Sequence, residues 1–145
     1  MNPIRVKKLN PSAILPAYGS AEAAGADLYA CLEEPLTIAP GETAFIPTGL
    51  ALEVPKGCAG LIYARSGMAC KHGLAPANKV GVIDSDYRGQ IVVALYNHGR
   101  ESRIVGHGER IAQMVITPVL TPAYEEASAL DDTRRGTGGF GSTGK

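Results

Sequence analysis

Apolar residues occur along the chain in brief runs that are interrupted by Gly, Pro or charged residues. Gly and Pro together number 28, from 18 and 10, and they recur at short intervals. Short β-type runs between such turn residues are typical of an all-β sandwich or barrel. We therefore predict an all-β fold, with strands at 4–6, 27–32, 36–38, 44–46, 50–54, 61–63, 80–83, 91–96, 103–105 and 111–116.

Two segments have features that differ from those of the other short apolar runs. IVVALY, at 91–96, is apolar on both faces, which predicts a strand buried on both sides, as at a subunit contact. SGMACKH, at 66–72, is the best helix candidate, with Ser66 as its N-cap and Gly73 at its end.

The length of 145 residues suits a single domain with a substantial core. From about residue 131 the apolar pattern fades into DDTRRGTGGFGSTGK, which is polar and rich in glycine. This composition favours mobility over packing. We expect a β-domain over 1–130 and a flexible C-terminal tail over 131–145.

Charge and composition exclude several classes of function. Fourteen basic and fourteen acidic residues cancel, so nothing favours a nucleic-acid polymer as partner. No apolar run is long enough to span a membrane, and MNPIRVKKLN lacks an apolar leader, so we expect a cytoplasmic protein. The three cysteines form no C-x-x-C and the three histidines are scattered, which disfavours a dedicated metal cage.

The last seven residues, GFGSTGK, fit the phosphate-binding P-loop spacing G-x-x-x-x-G-K. A working P-loop lies between a strand and a helix, and its Lys is followed by Ser or Thr. Here Lys145 ends the chain, so we reject this interpretation.

DSDYRG, at 84–89, matches part of a calcium-binding loop. However, Arg88 stands where an oxygen ligand is required, and Leu95 stands where a bidentate Glu belongs. The flanking segments also read as strands, so we reject an EF-hand.

Five further stretches combine arginines, hydroxyls, an amide, carboxylates and aromatic rings: 24–30, 64–67, 81–89, 109–114 and 135–144. This inventory suits a phosphorylated small molecule that carries a flat ring. Each stretch alone has an ordinary structural alternative. Asp84 and Asp86 can simply form a turn, Ser66 can cap a helix, and Gln113 can satisfy a backbone group.

In this order, the five stretches resemble the motifs of the homotrimeric dUTPases. The resemblance extends from about 24 to 144 and is most specific in GVIDSDYRG and RGTGGFGSTG. It implies a β-rich jelly roll with one short helix. It also implies Mg²⁺-assisted cleavage of dUTP to dUMP and pyrophosphate, which keeps uracil out of DNA and supplies dUMP for thymidylate.

By this resemblance, Asp84 is the catalytic carboxylate that orients and deprotonates the attacking water. Tyr87 lies under the deoxyribose, where a ribose 2′-hydroxyl would clash. Asn78 and the backbone of the next hairpin read the edge of uracil, and Phe140 stacks on the base. The residues implied for uracil and deoxyribose are Asn78, Gly81, Val82, Ile83, Tyr87 and Phe140.

The resemblance also implies a phosphate site shared among three subunits and closed by the tail. Asp27 acts on Mg²⁺ indirectly, through water, because the triphosphate supplies the direct ligands. The residues implied for the phosphates are Arg65, Ser66, Gly67, Gln113, Arg135, Ser142 and Thr143.

Two residues of the second motif depart from the usual P-R-S-G-L. Ala64 replaces Pro and Met68 replaces Leu, and neither change removes a chemical group.

Two other functions are compatible with a similar sequence. A dCTP deaminase would carry a Glu in the strand after the third motif, where this chain has Ala94. A catalytically silent homologue would bind nucleotide or a partner, yet Asp84, Tyr87 and Arg65 are all present.

Overall fold

The computed structural model describes residues 3–140 and contains twelve β-strands and one α-helix in this range. The prediction of an all-β fold with one short helix, α1, is confirmed. The elements are β1 Val6–Lys8, β2 Ala17–Tyr18, β3 Ala26–Tyr29, β4 Leu36–Ile38, β5 Thr43–Pro47, β6 Leu50–Leu52, β7 Cys58–Tyr63, α1 Ser66–His72, β8 Leu74–Pro76, β9 Gly81–Ile83, β10 Val92–Asn97, β11 Arg103–Val105 and β12 Arg110–Pro118.

The strands form antiparallel sheets in which most neighbouring strands are not consecutive in sequence. The largest has five strands in the order β2-β3-β12-β7-β9, and a second has the order β5-β10-β8. The pairs β1-β6 and β4-β11 complete the described sheets. Because β12 is central in the largest sheet, the last strand of the described residues holds earlier strands together.

The core is a cluster of aliphatic side chains from nearly every strand. Among its most completely buried members are Leu28, Ile38, Ile46, Leu95, Val105 and Ile111. The buried Asn97 is fully paired: its Nδ2 donates to the carbonyls of Ile38 and Glu101, each at 2.9 Å, and its Oδ1 accepts from the Gly99 amide. Such pairing offsets the cost of burying an amide.

Strand β10 covers most of the segment IVVALY. Ile91, Val93 and Leu95 are buried, whereas the opposite face of the strand is not, with Val92 40% and Tyr96 36% exposed. One chain thus buries a single face of this strand, and burial of the other face at a subunit contact stays a prediction. The outer face is nevertheless apolar, since Ala94 pairs there with Phe45 of β5, which is 71% exposed.

Helix α1 begins and ends close to the predicted positions, but its cap differs. The N-cap residue is Arg65, in extended conformation and without a side-chain capping hydrogen bond, and Ser66 is the first helical residue. The prediction of Ser66 as the N-cap is therefore wrong. Gly73 ends the helix as predicted, at φ 69°, a left-handed conformation that favours glycine.

The sequence pattern missed β2 and β8, which are only two and three residues long. Between Pro118 and Phe140 there is no helix or strand, and every residue from 121 to 137 is exposed.

Candidate active site

Strand β12 positions the first group of predicted site residues. Gln113 lies opposite Asp27 of β3 on one side and opposite Tyr63 of β7 on the other. Side chains three positions apart in a regular strand point to opposite faces. A register irregularity between Arg110 and Ala112 adds one residue on β12, so Arg110 and Gln113 project from the same face.

Asp27 joins two arginines from different segments of the chain, Arg65 at the N-cap of α1 and Arg110 at the start of β12. Its Oδ1 accepts a 2.7 Å hydrogen bond from Nε of Arg65, and its Oδ2 lies 3.4 Å from Nη1 of Arg110. The Asp27 side chain is only 12% exposed, whereas Arg110 is 53% exposed. A nearly buried carboxylate thus holds two cations, which leaves one net positive charge at the rim.

Gln113 is half-buried and anchors the segment that carries Arg65. Its Nε2 donates to the carbonyl of Ala64 at 2.9 Å. The space for this amide exists because residue 25 is Gly: a Cβ there would lie 2.5 Å from Oε1 of Gln113. The turn before α1 is therefore held by two contacts. Gln113 binds the carbonyl of residue 64, and Asp27 binds the side chain of residue 65.

Ser66 and Gly67 follow directly, at the start of α1, and Ser66 is exposed. Gly67 lines an open cleft of about 880 Å³ whose lining includes several cationic side chains. Its basic residues are Arg65, Lys71, His72, Arg103 and Arg110. The sequence stretches for the first, second and fourth motifs are thus brought together here, and Arg110 is an addition that sequence reasoning did not single out.

The second group of predicted residues surrounds β9. Gly81 is buried, and a Cβ at that position would lie 3.2 Å from Ile62 and 3.4 Å from Nδ2 of Asn78. Asp84 follows the strand immediately and is exposed. A shallow cleft of about 210 Å³ is lined by Val82, Ile83, Asp84, Tyr87, Gln90 and Val92.

The two groups lie apart within one chain. Strand β7 pairs with β9 at Gly60 opposite Ile83, whereas Arg65 follows the other end of β7. Five residues of extended strand span about 17 Å. The residues near Asp84 and those near Arg65 therefore form separate sites on a single chain.

The described hydrogen bonds of residues 133–138 are internal to the tail. The Nε of Arg135 donates to the carbonyl of Gly138 at 2.8 Å, and the amide of Gly136 donates to Thr133. Phe140 is fully exposed. The predicted residues Ser142 and Thr143 lie outside the described residues.

Two further findings concern residues 3–140. No group of three or more His, Cys, Asp or Glu side chains there is arranged to hold a metal ion directly. No helix in this range is sufficiently long and apolar to cross a membrane.

Comparison with known proteins identifies the family of this chain and proteins of similar fold. The dUTPase family model matches residues 11–144. The deoxyuridine 5′-triphosphate nucleotidohydrolase of Desulfitobacterium hafniense is 53% identical over 149 residues, covering 99% of each chain. That of Hahella chejuensis is 50% identical and covers 95% of this chain and 91% of its own.

Solved structures agree with these relatives. A dUTPase variant of Staphylococcus bacteriophage 80alpha, solved with dUpNHpp, is 28% identical, covers both chains fully and has a TM-score of 0.91. A dUTPase variant from phage phi11 of S. aureus, in which the coordination of a structural Mg(II) ion was described, covers 88% of this chain with a TM-score of 0.80. The predicted jelly-roll-like fold and the predicted family are thus confirmed, and the chain belongs to the dUTPase family.

Proposed function

We propose that the protein hydrolyses dUTP to dUMP and pyrophosphate, with Asp84 activating the water that attacks the α-phosphate. The observation that carries this proposal is the position of Asp84, an exposed carboxylate directly after β9 in a cleft shared with Tyr87. A carboxylate at the mouth of a cleft can accept a proton from water that is held against a bound substrate.

The phosphates bind along the cleft beside α1. Arg65 is held by Asp27 at 2.7 Å, and Arg110 faces the other oxygen of the same carboxylate. Cations fixed before the substrate arrives stabilise developing negative charge without reorganisation. Ser66 and Gly67 contribute a hydroxyl and backbone amides at the same rim. Gln113 acts at least in part through Ala64, since its amide donates to that carbonyl.

The residues fit Mg²⁺ that arrives with the triphosphate rather than in a protein cage. Asp27 is the carboxylate at the phosphate cleft, and each of its oxygens keeps a lone pair beyond its arginine contact. It would therefore hold the ion through water, which suits the reluctance of magnesium to lose its hydration shell. When bound, the ion neutralises phosphate charge. Asp27 itself orients Arg65 and Arg110.

The base and sugar bind at the β9 hairpin. Gly81, Val82 and Ile83 offer fixed backbone donors and acceptors, with Asn78 beside Gly81. Such a backbone distinguishes the carbonyl of uracil from the amino group of cytosine. Tyr87 supports the deoxyribose. These assignments rest on the motif resemblance together with the cleft around Val82 and Asp84.

The complete site requires more than one copy of the chain. Asp84 and Arg65 follow opposite ends of the β7-β9 pair, yet both act on one nucleotide. A homotrimer with sites at its subunit boundaries supplies both groups, and the exposed apolar side chains Phe45, Val92 and Tyr96 suit burial between subunits.

The tail closes over the bound nucleotide. Residues 131–145 carry Arg135 for phosphate, Phe140 for uracil, and Ser142 and Thr143 for the γ-phosphate. The exposure of Arg135 and Phe140 supports this role, because both side chains are free to meet a ligand. Closure excludes water other than the nucleophile.

The deaminase alternative is disfavoured by Ala94. This residue lies on the outer face of β10, opposite Phe45, and offers no acid for chemistry at an amine. Ammonia release from dCTP would reverse this assignment.

The direct test is pyrophosphate release from dUTP in the presence of Mg²⁺, with dTTP, dCTP and UTP as controls. We expect selective turnover of dUTP. If dUTP binds without turnover, the protein is a nucleotide-binding homologue and the catalytic assignment of Asp84 is wrong.

A further inference from the structure

Tyr87 folds back over the turn that follows β9. Its phenol oxygen donates to the carbonyl of Gln90 at 3.0 Å, only three residues further along the chain. The side chain is 43% exposed, so one side of the ring is open to a ligand while its hydroxyl is held by the protein.

The ring can occupy this position because residue 89 has no side chain. A Cβ at Gly89 would overlap the Tyr87 oxygen and would lie 2.5 Å from Cζ and 2.9 Å from Cε2. Such distances are essentially prohibited, and Gly89 is not among the glycines with positive φ. The methyl group of an alanine at residue 89 would therefore collide with the Tyr87 ring, whereas the backbone conformation at this position would not disfavour alanine.

The carbonyl that receives the phenol belongs to a firmly held segment. Oε1 of Gln90 accepts from the amide of Gly49 at 3.0 Å, and the next residue, Ile91, exchanges backbone hydrogen bonds with Thr48 and Leu50. The buried Thr48 hydroxyl also donates to the Ile91 carbonyl at 2.7 Å. The acceptor is thereby fixed to β6 and to the loop before it, so the hydrogen bond places the ring relative to the body of the domain.

We infer that Gly89 is a specificity-determining residue. Because residue 89 has no side chain, the Tyr87 ring can take its position over the turn. The carbonyl of Gln90, which accepts the phenol hydrogen bond, is the second positioning group. The inference rests on the proposed role of Tyr87 beneath the deoxyribose and deepens it. A ring that lies over Gly89 with its hydroxyl held at the Gln90 carbonyl stays close to the position of a ribose 2′-hydroxyl, whereas a ring displaced by a side chain at residue 89 would leave room for one. Discrimination against UTP therefore depends on residue 89 as well as on Tyr87.

The test compares kcat/KM for dUTP and for UTP in the full-length protein. Gly89→Ala should lower the ratio by about tenfold or more, because a displacement of about 1 Å near a reacting substrate can cost up to ~100-fold. The ratio is independent of the fraction of folded enzyme, so a merely structural effect would not change it. Gly106→Ala is the matched control, since a Cβ at Gly106 would meet nothing within 4 Å.

A double-mutant cycle then attributes the effect to the ring. In a Tyr87→Ala background, Gly89→Ala should change the ratio by less than about twofold, since their shared contact is gone. Tyr87→Phe keeps the ring but loses its hydrogen bond, and should lower the ratio by about two- to tenfold. If Gly89→Ala does not yield folded protein, Tyr87→Phe still tests whether the fixed position of the ring controls selectivity, and an unchanged ratio would overturn the inference.

An unchanged ratio in Gly89→Ala would overturn the inference, as would an equal loss in the Tyr87→Ala background. Failure of the proposed function has a different signature. In that case the wild-type protein would not turn over dUTP, or would not prefer it to UTP.

Discussion

The Nε of Arg65 lies 2.7 Å from Oδ1 of Asp27, although the two residues are 38 positions apart in sequence. The same carboxylate also faces Arg110 on β12. Three separate segments are therefore joined through one negative charge. The positions of the proposed phosphate-binding arginines depend on the carboxylate of Asp27.

Replacing Asp27 with Asn should reduce both stability and substrate affinity. Arg65 and Arg110 would then repel each other across a neutral amide, so we expect the free energy of unfolding to fall by about 1–3 kcal/mol. Denaturant titration at fixed protein concentration measures this loss, and KM for dUTP should rise.

Glu53→Gln is the control for Asp27→Asn, because it breaks the exposed pair between Arg5 and Glu53 at 3.3 Å. Exposed pairs contribute only about 0–1 kcal/mol, so stability should hardly change. Equal losses in the two variants would contradict a special role for Asp27.

Gly25→Ala should mimic part of the effect of Gln113→Ala. The added methyl group would displace the Gln113 amide from the Ala64 carbonyl and so loosen the turn that carries Arg65. We expect an increase in KM for dUTP with little change in dUTP/UTP selectivity, measured by steady-state kinetics. Gly19→Ala, in open space, should behave like the wild type; an unaffected Gly25→Ala would show that the amide can move without consequence.

Asp84→Asn should abolish most turnover while dUTP still binds. The amide keeps the size of the side chain but cannot accept a proton, so kcat should fall by about 10²–10⁴-fold. Asp86→Asn, two residues along in the same exposed turn, is the matched control and should retain activity. Loss of affinity without loss of kcat would indicate that Asp84 is structural.

Complementation between inactive variants tests whether copies share a site. Asp84→Asn and Arg65→Gln chains should each be inactive, and joint refolding should restore about a quarter of wild-type activity if each site combines both groups from different subunits. The assembly should have three times the 15.1 kDa chain mass by light scattering. No recovery in mixed trimers would mean that each site is formed within one chain.

Removing residues 135–145 should leave the folded domain intact but abolish most of its activity. Residues 121–137 are exposed, so truncation costs the core little, whereas the proposed contacts of Arg135 and Phe140 are lost. Circular dichroism and pyrophosphate release report the two effects separately. A truncated protein with normal dUTP turnover would refute the closing role of the tail.

Much of the fold was predictable because its strands are short apolar runs between Gly and Pro. Leu36–Ile38 and Arg103–Val105 occur with the predicted bounds. The two-residue β2 is too short to show an alternating pattern, and β8 was missed because its short run Leu74–Pro76 includes a Pro, which argues against a strand. The N-cap was misplaced because Arg65 takes the extended conformation at the helix start, where its guanidinium pairs with Asp27.

The motifs indicated the candidate residues but not their mutual support. Arg110 lies within a recognised stretch, yet regular alternation assigns it to the face opposite Gln113. Only the extra residue in β12 brings the two side chains to one side. The roles of Gly25 and Gly89 were equally hidden, because a vacancy that fits another side chain is visible only in three dimensions.

The irregularity in β12 makes the site sensitive to the length of the chain. Substitution of Ile111 by another aliphatic residue changes packing but keeps the count of residues, so Arg110 stays on the face of Asp27. Insertion of one further residue at 110–112, with the irregularity retained, would turn the side chain at position 110 to the opposite face. Deletion of Ile111 would keep Arg110 on the face of Asp27 but would remove a core side chain that is only 1% exposed. Natural and engineered variants of this strand should therefore accept exchanges far more readily than insertions or deletions.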